Sequence, residues 1–294
     1  MLQTTRNPLP PVARVSALQG VPMQVNEDVQ RFEEAGYLLI RNVFNKEAIA
    51  RWRAQFLAEL KAQNTRLLVD GIIKYPEMRE ALSNPRLLQV LGTLLGRPFV
   101  VLPLTSVDHN RFGQFHTDTS GAEMEGWSFH KDKNFRIGVV GVYLQDNNEY
   151  GGGLTLVPGS HLLPDPYVAL LKRKHEIRKK TDRSFVRRTL KRLSRGRLFS
   201  WQDPRLVEFP GAIDVPVKAG DVLMWDLRIV HRATPQKIKG EALPGGKIAL
   251  FYELGADNEP TKRRLEHMKA IGEIDRQRAK DFRIPPGTED FIFA

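Results

Sequence analysis

At 294 residues the chain is long enough for one large domain with a sizeable core, or for two small ones. Hydrophobic residues make up 41% and charged residues 27%, and the absence of cysteine excludes disulfides, thiolate metal sites, iron–sulfur clusters and a cysteine nucleophile. The formal charge of +11 is concentrated: between Lys172 and Arg197, thirteen Lys and Arg stand against two acids, Glu176 and Asp182, so the rest of the chain is close to neutral.

Residues 1–25 are rich in proline and polar side chains and read as an extended surface arm. They hold no continuous apolar run, and no stretch reaches the roughly 20 apolar residues of a membrane span. Val29, Phe32 and Ala35 share a helical face that ends at Gly36, and Tyr37–Ile40 is a short apolar strand. Asn45 can cap a helix whose Ile49, Trp52, Phe56 and Leu60 recur at helical spacing. Asn84-Pro85 opens another, with Leu87, Leu88, Leu91 and Leu95 facing inward. From Phe99 the texture changes to short strands, expected at 99–106, 136–144, 153–157, 212–217, 221–225, 228–234 and 247–254. Many short strands without alternating helices argue for an antiparallel sandwich or barrel. The basic segment at about 165–200 interrupts the series as an amphipathic helical insertion, and a last charged helix is expected from Glu259 to about Phe282. This divides the chain into an arm at 1–25, one β domain at 26–258, and a C-terminal helix and tail at 259–294.

The chemistry is sought among the strands. Residues i and i+2 of a strand point to one side, so His130 and Asp132 project together. With a distant histidine at a strand end, His231, they compose two imidazoles and one carboxylate, a set that binds Fe(II) and leaves three positions open. His-x-Asp is a weak motif, and His116-Thr117-Asp118 is a second copy. Context favours His130, which lies nearer the strand Tyr143-Leu144-Gln145-Asp146-Asn147, the glycines 151–153 and the turn Pro158-Gly159-Ser160-His161. His161 closes that turn and reads as scaffold.

Phe129-His130-Lys131-Asp132, the YLQDN strand, GGGLTLVPGSH and GDVLMWDLRIVHRATP occur in this order, after an opening EDVQRFEEAGYLLIRNVF. Together they resemble the phytanoyl-CoA dioxygenase family of Fe(II)/2-oxoglutarate-dependent oxygenases over roughly residues 26–255. The resemblance implies a mainly β fold with flanking helices, a double-stranded β-helix (jelly roll). It implies Fe(2+), 2-oxoglutarate as co-substrate and O2, used to hydroxylate a small molecule. His130, Asp132 and His231 carry over as catalytic metal ligands. Where the family places an arginine for the far carboxylate of 2-oxoglutarate, this chain has Lys247, a point charge without the bidentate fork. Arg228, Arg232 and Arg136 are fallbacks, and Tyr143 or Gln145, on one strand face, is a candidate to line the co-substrate pocket. A chain free of easily oxidised thiols fits a cytoplasmic enzyme handling oxygen.

Two other functions stay open at this point. The barrel could hold another metal for redox-neutral isomerisation or hydrolysis, or it could be a non-enzymatic binder of polyanions. The basic segment 172–197 has three readings: a solvated excursion, a lid steering a phosphorylated or otherwise anionic substrate, or a contact to nucleic acid or an anionic membrane surface.

Overall fold

The chain is organised around one large sheet and a smaller one facing it. The computed structural model describes residues 23–119, 132, 134–163, 209–241, 243–270 and 291–293, and both the arm before residue 23 and the basic segment 172–197 lie outside them. In order, the elements are α1 (Met23–Ala35), β1 (Tyr37–Ile40), α2 (Lys46–Ala62), β2 (Leu67–Val69), α3 (Gly71–Lys74), α4 (Pro76–Leu82), α5 (Pro85–Leu95), β3 (Phe99–His109), β4 (Ile137–Tyr143), β5 (Leu154–Leu156), β6 (Ile213–Asp214), β7 (Val222–Asp226), β8 (His231–Ala233), β9 (Ile248–Ala256), α6 (Glu259–Ala270) and β10 (Phe291–Phe293). The large sheet runs β1-β7-β4-β9-β3-β10, with β2 also paired to β3, and the small one runs β6-β5-β8.

Helices α1 to α5 gather on one face of the large sheet. Asn45 accepts a 2.8 Å hydrogen bond from the Ala48 amide, capping α2, and its Ile49, Trp52, Phe56 and Leu60 are buried as their spacing predicts. Asn84 caps α5 in the same way, receiving the amides of Arg86 and Leu87 ahead of the Leu87, Leu91, Leu95 face. These residues meet Val140, Val142, Val222, Met224, Leu250, Tyr252 and Leu254 in the outer core.

Strand alternation then sends the intervening residues to the other side. Ile137, Val139 and Tyr143 of β4, Leu223 and Trp225 of β7, and Ala249 of β9 enclose a second core with Leu154 and Leu156 of the small sheet. Two sheets facing each other across such a core make the expected jelly roll, and its inner space is where a site can be built. Gly220 makes the turn before β7 at φ +90; a Cβ there would stand 2.4 Å from the Phe44 carbonyl oxygen, so the tight turn needs glycine.

Some elements differ from expectation. β8 covers only 231–233, because residues 226–229 form a turn in which the Ile229 amide donates to the Asp226 carbonyl. β2, α3 and α4 appear in a region where hydrophobic spacing is too short to signal them. The stretch expected as a tail contributes β10, which pairs in parallel with β3.

Candidate metal centre and co-substrate pocket

His116 and His231 stand directly opposite each other on adjacent antiparallel segments. The His116 amide donates to the His231 carbonyl and the His231 amide to the His116 carbonyl, each at 2.9 Å. Residues paired this way project to one side, and so does i+2, Asp118. The amide of Asp118 continues the pairing by donating to the Leu227 carbonyl at 3.1 Å. The imidazole rings lie 4.3 Å apart between centroids. One donor atom from each of His116, Asp118 and His231 falls within 4.8 Å of the others, the one such group of three among the described residues.

Hydrogen bonding aims both imidazoles. Nδ1 of His231 lies 3.0 Å from the Ile229 carbonyl oxygen, and Nδ1 of His116 lies 2.8 Å from that of Gln114. A carbonyl only accepts, so each Nδ1 carries the hydrogen and each Nε2 presents a lone pair. Nε2 of His116 is 3.6 Å from one oxygen of Asp118, and Nε2 of His231 is 3.5 Å from the other. Burial holds the His231 imidazole down to about 4, with Asp118 pulling in the opposite direction, so at neutral pH it is uncharged. Two lone pairs and a carboxylate thus converge with no hydrogen among them. A cation satisfies that arrangement: ligands about 2.1 Å from one ion and at roughly right angles stand ~3 Å apart. The donor set fits a divalent iron.

Of the pair favoured from context, His130 lies outside the described residues. Asp132 is described, and its side chain accepts from the Asn134 amide at 2.9 Å, closing a local turn. The copy of His-x-Asp that the described geometry places beside His231 is His116-Thr117-Asp118. His161 serves the scaffold, as expected: its Nε2 donates to the Glu33 carbonyl at 3.1 Å.

The inner face of the large sheet supplies the surroundings. Lys247, just before β9, is 5% exposed, and its Nζ donates to the Arg111 carbonyl at 3.4 Å above the Phe112 ring. Burial draws its ammonium down to about 8, opposed by Asp108, and its charge is felt at His231. Tyr143 is fully buried, and its hydroxyl has no hydrogen-bond partner among the described residues. Burial first, then Asp108, pushes that phenol well above its usual value. A buried ammonium whose charge is felt at His231, and a buried hydroxyl that like it feels the charge of Asp108, are the complement of a carboxylate. Arg228 is otherwise engaged: its Nε and Nη2 hold both oxygens of Asp226 at 2.9 and 2.8 Å, and its guanidinium lies 4.4 Å from the Phe135 ring centre. Gln145 is also turned away, taking the Ile248 amide and giving its own amide to the Gly152 carbonyl.

A model of the phytanoyl-CoA dioxygenase family matches residues 32–239, well over half of the chain. The chain belongs to that family. It is an iron- and 2-oxoglutarate-dependent dioxygenase, as the ordered motifs imply. Among curated relatives, ectoine dioxygenases of Bordetella parapertussis and Bordetella bronchiseptica are each 27% identical over 230 residues, spanning 70% of this chain and 68% of theirs. Among solved structures, HygX of Streptomyces hygroscopicus with nickel and 2-oxoglutarate bound superposes with a TM-score of 0.55 at 19% identity, covering 79% of this chain and 87% of that one. The carbocyclase SnoK from nogalamycin biosynthesis gives 0.54 at 17% identity, covering 87% and 92%. At such identities these structures establish the fold of this dioxygenase. Among the described residues, no helix is long and apolar enough to cross a membrane.

Proposed function

We propose that His116, Asp118 and His231 hold the iron of this dioxygenase, and that Lys247 and Tyr143 receive the far carboxylate of 2-oxoglutarate. The observation that carries the proposal is the convergence of three acceptor groups, two of them on a shared backbone ladder. Iron in that position supplies the oxygen chemistry that couples decarboxylation of 2-oxoglutarate to hydroxylation of a substrate C–H bond. The chain's own groups do the positioning. Nδ1–H bonds fix both imidazoles, Lys247 offers one positive charge in a dry pocket, and the buried Tyr143 hydroxyl offers a hydrogen bond.

The same proposal covers the substrate and the setting: a small, phosphorylated or otherwise anionic molecule, drawn in by the basic segment 172–197, in the cytoplasm. Its support is the charge pattern of the sequence, thirteen cationic residues against two acids in that segment. Purified protein with Fe(II) should decarboxylate 2-oxoglutarate, faster with phosphorylated than with neutral candidates. His116→Ala should lose both iron and turnover, whereas His130→Ala should keep iron. The reverse result would transfer the site to 130–132.

A further inference from the structure

Among the described residues, Trp225 touches two of the three converging side chains, Asp118 and His231. It lies on β7, 3% exposed, with its ring centre 5.5 Å from that of His231. Its indole Nε1 donates to Asp118 at 3.3 Å, and the oxygen it meets is Oδ2. Oδ1 of Asp118 faces Nε2 of His116 at 3.6 Å, and Oδ2, besides meeting the indole, lies 3.5 Å from Nε2 of His231. The ring is held in place from beneath. Phe251 meets it edge to face at 5.8 Å, and a Cβ on Gly141 would come within 3.0 Å of it, so glycine leaves room for the indole at this level of the sheet.

We propose that Trp225 is a positioning residue that engages one oxygen of Asp118 and so restricts this carboxylate to binding iron through the other. This rests on the ligand set proposed above. The consequence is a matter of counting. Two imidazoles and one carboxylate oxygen leave three of six positions open. Those three would have to serve both the co-substrate and O2. A carboxylate bound through both oxygens would remove one of those positions. An indole N–H is a pure donor and cannot itself become a ligand, so it holds Oδ2 without competing for the metal. It also requires no proton transfer at any pH the protein tolerates. Control of the carboxylate is therefore a function of β7, a different element from those that carry the ligands.

Two measurements test this. The first is the wild-type protein crystallised with Mn(II). One Asp118 oxygen within bonding distance of the metal, and the other on Trp225, is the expected result; both oxygens on the metal would overturn the inference while leaving the ligand set intact. Metal on 130–132 instead would overturn the ligand set itself. The second is Trp225→Phe, which keeps a ring but removes the N–H. Its Co(II) complex should show an altered visible spectrum, and anaerobic 2-oxoglutarate binding to its Fe(II) form should weaken by about tenfold, the scale of a lost hydrogen bond to a charged group. Trp225→His, which can restore a donor, should recover part of the affinity. A Co(II) spectrum and 2-oxoglutarate affinity both unchanged in Trp225→Phe would reject the role.

Discussion

Lys247 shows what one residue can decide. An arginine at this place would bring five donors in a planar fork and a charge that no accessible pH removes. Lysine brings a single ammonium, drawn down to about 8 by burial and partly restored by Asp108. The ammonium is charged below that value and neutral above it. Co-substrate affinity should therefore be full at neutral pH and fall as the pH rises through about 8 and beyond, the bound carboxylate moving the limit upward. A titration of 2-oxoglutarate affinity between neutral and alkaline pH checks this, and Lys247→Arg should flatten the fall. The sequence marked Lys247 because it stands where the resembling family places an arginine, and Tyr143 because alternation puts it on one strand face with Gln145; both side chains are buried. The choice between His116 and His130 was not legible. Both head a His-x-Asp and both satisfy the same-side rule, and the pairing that sets His116 beside residue 231 spans more than a hundred residues of chain.

Elements meet at contacts that the spacing of apolar residues does not announce. α6 is joined to the barrel by Arg264, whose guanidinium donates to both oxygens of Glu253 at 2.8 and 3.3 Å, with both side chains 5% exposed. Glu253 lies on the inner face of β9, opposite Val139, in the same row as Lys247. Arg264→Met should cost about 3–5 kcal/mol by leaving the carboxylate buried without its guanidinium, and removing both partners as Arg264→Met/Glu253→Gln should cost less. Denaturant unfolding of the two variants separates the cases. The spacing of Leu265, Met268, Ile271 and Ile274 predicts the buried face of this helix; Met268 is fully buried, and Ile271 and Ile274 lie outside the described residues. The spacing did not mark Arg264, since a charged residue in a charged helix carries no sign of its partner. α2 makes a comparable contact: Arg53 donates to Gln145 and to the carbonyls of Pro244 and Gly246, tying the turn before Lys247 to the helical layer.

At the scale of the whole molecule, the longer helices and most strands followed from periodicity, and the two-faced large sheet follows from strand alternation alone. Topology did not. Nothing local says that β1 pairs with β7, or that β10 returns to lie beside β3. The same long-range pairing has a thermodynamic result. Where a metal gathers ligands from a flexible chain, binding and folding are one event, and chelators denature the protein. Here the ordering cost of bringing residues 116 and 231 together is met by reciprocal amide–carbonyl bonds and by the cores on either side of the sheet. At the proposed site, iron would then enter a chelate already assembled by the peptide backbone. A chelator should strip the metal and abolish turnover while leaving the far-ultraviolet circular dichroism unchanged, and added Fe(II) should restore activity without a refolding step. Loss of the dichroism on chelation would mean that the ion, and not the ladder, holds the two histidines together. In the terms of an inorganic chemist, the fold is a rigid tridentate ligand that can exchange its metal and keep its shape.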